Sequence, residues 1–101
     1  MLEYEIYLPT TYNDDSPVDA EVVDGLKRKL VEAFGGYTHQ RSRSEGAWKL
    51  GGVVFRDEVT ILRVLDDGSA KFDMRGFKKE IETSLRQETI LIVEREVRVF
   101  E

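Results

Sequence analysis

Apolar residues in this chain switch repeatedly between a two-residue and a helical spacing, and the order of the switches limits the available folds more than any single motif does. From Leu2 to Leu8, the residues Leu2, Tyr4, Ile6 and Leu8 alternate with Glu3, Glu5 and Tyr7, as in a half-buried strand, and Pro9 ends it. Ser16 before Pro17, with Asp19 three residues on, predicts a helix N-cap and a start near Pro17. Val18, Val22, Val23, Leu26, Leu30, Ala33 and Phe34 then recur at three- and four-residue spacing until Gly35-Gly36 supplies a left-handed stop.

Beyond the glycines, Leu50-Gly51-Gly52-Val53 is a two-residue hairpin signal. It sets Trp48 opposite Phe55 and Leu50 opposite Val53, with a bulge or bend expected in Ser42–Gly46. The β-branched run Val53–Leu65 reads as the return strand. Asp66-Asp67-Gly68-Ser69 terminates it and starts a second helix, whose apolar face is Ala70, Met74, Phe77, Ile81 and Leu85 and which Gly76 weakens. Thr89–Phe100 reads as a last strand with Leu91, Val93, Val97 and Val99 on one face. The order β-α-β-β-α-β predicts an α+β, ferredoxin-like sandwich in which two helices cover one face of a four-stranded antiparallel sheet. One domain spanning residues 1–101 accounts for every segment.

Charge is unevenly spread. Residues 1–26 carry seven acidic side chains and no basic one, whereas residues 27–49 carry six basic against two acidic, within a net charge of −5. An acidic chain lacks the broad basic footprint of a nucleic-acid binder, and Glu3, Glu5, Glu94 and Glu96 argue against a basic sheet face. The chain has no cysteine, and so no disulfide framework or thiolate chemistry. Its start lacks the pattern of a signal peptide and no apolar run is long enough for a membrane span, so a soluble, cytoplasmic protein is expected.

The stretch FGGYTHQRSRSEGAWKLGG holds the only histidine and the only tryptophan. Its glycines follow a helix or join two strands, the wrong places for a phosphate loop, and neither GxGxxG nor GxxxxGK[ST] occurs. His39 has no second histidine or cysteine with which to complete a metal site, and the Asn13-Asp14-Asp15 run with Asp19 lacks a calcium-loop pattern. Asp57 and Glu58 are adjacent on a strand, point to opposite sides, and are expected to pair with nearby arginines. What remains is a basic and aromatic arm of Tyr37, His39, Arg41, Arg43, Trp48 and Lys49. The ferredoxin-like topology brings the hairpin tip to the same end of the sheet as Thr10, Thr11, Tyr12 and Asn13. A pocket between them would offer guanidinium groups for an anion and rings for stacking. No metal, cofactor or catalytic residue is assigned.

The motifs YLPT near the start, FGGYT after the first helix, GAW before the glycine hairpin and RDEV in the next strand resemble a group of small uncharacterised bacterial and phage proteins of split β-α-β type. The resemblance implies the same α+β fold and carries no activity to any residue. Families of this architecture with known motifs do not fit: two-histidine phosphoesterases need two histidines, and the aromatic strands of RNA-recognition motifs are absent.

The leading functional expectation is a non-catalytic module for a small anionic or nucleotide-like ligand or a protein partner. The alternatives are a cofactor-independent enzyme of the dimeric α+β barrel type, with His39 or a carboxylate as acid–base, and a binder of single-stranded nucleic acid. A homodimer is expected, on the argument of an uncovered sheet face and a long exposed last strand.

Overall fold

The computed structural model describes residues 1–101. Six elements follow in the expected order: β1 (Leu2–Pro9), α1 (Ala20–Phe34), β2 (Thr38–Leu50), β3 (Val53–Asp66), α2 (Met74–Ser84) and β4 (Leu91–Glu96). The sheet order is β2-β3-β1-β4 and every pairing is antiparallel, the ferredoxin-like arrangement. The alternation of β1 puts Ile6 and Leu8 in the core, across from Leu62 and Thr60 of β3. Leu26 and Leu30 of α1, Phe77 and Ile81 of α2, and the flanking Leu85 and Ile90 close over them. Phe34, Phe72 and Phe77 form an edge-to-face chain with successive centroids 5.1 Å apart, tying the end of α1 to α2.

Three boundaries differ from expectation, each because a side chain or strand is engaged elsewhere. Helix α1 starts at Ala20, not Pro17. Asp14 accepts from both the amide and the hydroxyl of Ser16, while Tyr12 N–H donates to Ser16 O and Val18 N–H to Thr10 O. Ser16-Pro17 is therefore used in closing a small loop, and Asp19 becomes the N-cap residue with its carboxylate turned to the Tyr12 hydroxyl. Helix α2 starts at Met74, not at the Asp66–Ser69 turn. Asp66 and Asp67 accept from the amides of Gly68 and Ser69, leaving Asp73 to cap the helix by accepting from Gly76 N–H at 2.9 Å. Strand β4 stops at Glu96 because its partner runs out: Glu96 lies opposite Leu2, and one bond from Val97 N–H to Met1 O is the last.

The turns hold as expected. Gly35 ends α1 at φ 84°, its N–H donating to Val31 O, and Gly51 and Gly52 both take the positive φ of a type I′ hairpin turn. The irregularity in β2 lies between Gln40 and Ser44, at Arg41–Arg43, slightly ahead of the expected Ser42–Gly46. Two extra residues there leave the parity of the strand unchanged across it.

On the sheet face opposite the core, Glu5 is only 5% exposed. Arg63 of β3 reaches it at 3.2 Å and Arg95 of β4 from the other side, with Arg95 also near Glu3. The two arginines roof the carboxylate at the middle of this face, which also exposes Leu65 and Leu91. No helix is long and apolar enough to cross a membrane.

Candidate functional site

The expected site residues separate into distinct groups. Register decides the main division: His39 lies opposite Leu62 on the core side of β2, whereas Trp48 lies opposite Phe55 on the other side. The odd sequence offset between His39 and Trp48, preserved by the bulge, puts the histidine and the tryptophan of the arm on opposite sides.

The first group lies between α1 and the start of β2. Lys27 projects from α1 beside the buried stripe and is only 8% exposed, yet it has neither a hydrogen bond nor a carboxylate within ion-pair distance. Its Nζ sits 5.5 Å from the centroid of the Tyr37 ring, a cation–π contact. Asp24, Lys27, Arg28, Val31, Glu32 and Tyr37 line an open groove of about 420 Å³. Behind it, His39 is hydrogen-bonded through Nε2 with the Thr60 hydroxyl at 3.0 Å, and its Nδ1 is buried without a partner. Burial first, then the charges of Lys27 and Arg41, hold the His39 pKa below the usual histidine value.

Arg43 belongs elsewhere, paired with Glu58 at 3.0 Å on the exposed side of the hairpin. Thr11 and Tyr12 are structural. Thr11 bridges to Pro17, and Tyr12 is buried between Asp19, which accepts its hydroxyl, and the Arg86 guanidinium 4.9 Å above its ring. Asn13 and Trp48 do meet as the topology predicts, but in a second, smaller cavity with Phe55, Asp57 and the α2–β4 connection. That cavity is acidic rather than basic. Asp57 is not the arginine partner expected of it: only Glu58, on the other side of the strand, takes that role.

Sequence reading missed Lys27 and Arg28. The signal was present, since Lys27 lies four residues after Val23 and three before Leu30, on the edge of an otherwise apolar stripe. A lysine there is out of pattern. No group of three His, Cys, Asp or Glu side chains is arranged to hold a metal ion.

No protein-family model and no curated protein matches the sequence. Among solved structures, the chain is similar to the divalent cation tolerance protein CutA1 from Thermus thermophilus, with 17% identity and a TM-score of 0.65 over 100% of this chain and 88% of that one. It is also similar to a phage SAM lyase in complex with S-methyl-5'-thioadenosine, at 16% identity and a TM-score of 0.60 over 94% and 80% of the two chains. The SAM lyase in its apo state gives 14% identity and 0.56 over 99% and 92%. At these identities the likeness establishes the fold alone, a small α+β, ferredoxin-like one shared by all three chains.

Proposed function

We propose that the protein is a non-catalytic binding module, working as a homodimer, that takes a small nucleotide-like anion in the groove that α1 forms with Tyr37. The observation that carries this is Lys27. Its stem is buried while its ammonium, which has no counter-ion, opens to solvent at the groove and is free to pair with an anionic group there. Arg28 adds a second donor, Tyr37 offers a ring for stacking, and Asp24 and Glu32 are placed to accept hydrogen bonds from sugar hydroxyls. A nucleoside thioether bound to a phage SAM lyase of this fold supports the choice of ligand class. His39 serves the site as a half-buried support; its bare Nδ1 is closed to solvent, which argues against an acid–base role.

Adenosine monophosphate and adenosine, titrated separately by calorimetry, test the reading. The monophosphate is expected to bind more tightly, and Lys27→Met should weaken it at least tenfold, equivalent to about 1.4 kcal/mol. The same variant should melt no lower than the parent, because Met keeps the buried stem packed and removes only a solvent-facing charge. Arg41→Ala should weaken binding less, and Arg43→Ala not at all, since Arg43 already holds Glu58. Equal binding of the monophosphate to parent and Lys27→Met would sink the proposal.

A further inference from the structure

The cavity under the hairpin arm differs in charge from the groove along α1, where two acids face two bases. Trp48 and Phe55 are cross-strand partners with nearly parallel rings, centroids 6.5 Å apart and planes at 20°. Gly46, across from Asp57, has no side chain, and the edge of the Trp48 ring lies 3.5 Å from where a Cβ would stand. Asp57, two residues on from Phe55, faces the same side. Glu88 enters from the α2–β4 connection, and Asn13, Gln87 and Thr89 complete the wall.

The enclosed space is about 180 Å³. That is below the roughly 300 Å³ at which pockets for drug-sized ligands begin, and ample for a headgroup of a few heavy atoms. Both titratable groups in the wall are acids, and no basic side chain lines it. Arg43 pairs with Glu58 on the opposite side of the strand, and the Arg86 guanidinium is spent on the Tyr12 ring. Asp57 itself has neither a hydrogen bond nor an ion pair, and burial raises its carboxyl above the usual aspartate range. Two aromatic faces attract a cation through their quadrupoles, and two carboxylates neutralise it.

We infer that this cavity is a site for a small organic cation of the ammonium type, seated against Trp48 and Phe55 and neutralised by Asp57 and Glu88. It is independent of the nucleotide-like anion groove: the two share no lining residue.

Trp48 is the only tryptophan in the chain, so the site carries its own reporter. Tetramethylammonium chloride and n-butylammonium chloride, titrated against sodium chloride at matched ionic strength, should each give a saturable change in tryptophan fluorescence that sodium chloride does not. Asp57→Asn should weaken the response at least tenfold, and Glu88→Gln should weaken it as well, both with unchanged far-ultraviolet circular dichroism. If Asp57→Asn fails to fold, Glu88→Gln alone decides. The parent response should fade as pH falls and Asp57 protonates, at a higher pH than for an ordinary aspartate. A fluorescence change no different from that in sodium chloride overturns the proposal, as does a saturable response that neither variant alters. Monophosphate binding should be untouched by Asp57→Asn, so failure here leaves the groove reading standing.

Discussion

The pKa of His39 is lowered by its position, half-buried against Thr60 and near the charges of Lys27 and Arg41. Because burial and those two cations lower its pKa in the fold, the unfolded chain takes up the proton more readily than the native one. Its contribution to stability is therefore full above the unfolded value of about 6.5 and is lost as pH falls through the lowered folded pKa. Thermal melts taken downward from neutral pH should show that loss for the parent, and a flatter profile for His39→Gln over the same window. Asp57 has the opposite sign, since burial favours its protonated form, and it contributes equally to both proteins. Identical profiles would show that the ring is more solvated than its bare Nδ1 implies. Lys27 and His39 also mark how far single residues could be read. His39 was visible as the sole histidine, and Lys27 only as a break in a stripe, because a sequence gives no sign of whether a cation has found a partner.

At the scale of elements, the two helices show why types were legible and starts were not. The apolar spacing that buries Leu26, Leu30, Phe77 and Ile81 has no competing use, so it specifies helices directly. Acidic and hydroxyl side chains do have competing uses: Asp14, Asp66 and Asp67 each close a local turn, which moves both helix starts downstream. Asp73 then carries α2 as its cap, and Gly76 gains a reason. A Cβ at Gly76 would collide with the Asp73 carboxylate, so the glycine that lowers helix propensity also makes room for the cap. Asp73→Ala should cost about 1 kcal/mol in chemical denaturation. Gly76→Ala should not deliver the roughly 1 kcal/mol gain that this change brings in an ordinary helix interior, because it displaces the capping side chain. A full gain would mean that the cap bond contributes little. The loop cavity at Trp48 was half legible for a related reason: the hairpin signal fixed the Trp48–Phe55 pair, while Glu88 and Thr89 arrive through a crossover that no local pattern encodes.

For the whole molecule, the basis for self-association changes from the one the sequence offered. The sheet face opposite the core is open except where Arg63 and Arg95 roof Glu5, with Leu65 and Leu91 exposed on it, while the last strand has only six residues and presents no long bare template. The hairpin arm does. Strand β1 ends opposite Val59, with one further bond from Thr10 N–H to Glu58 O. Beyond that point the arm is two-stranded, and β2 is already the sheet edge. At about 3.3 Å per residue, Val53–Asp57 projects roughly 17 Å with unpaired backbone on both outer sides. Its tip exposes Leu50, Val53 and Val54 at 46–56%. An isolated two-stranded ribbon is marginal in water, so the arm is the part of the fold with most to gain from a second copy. Light scattering at tens of micromolar should give twice the 11.7 kDa of one chain, and Val53→Lys combined with Val54→Lys should return it to a single chain without altering the melt of the core. A parent protein of single-chain mass under those conditions would count against the homodimer. A double variant that still has twice that mass would move the interface off the arm, to the free edge of β4 where Leu91 lies exposed.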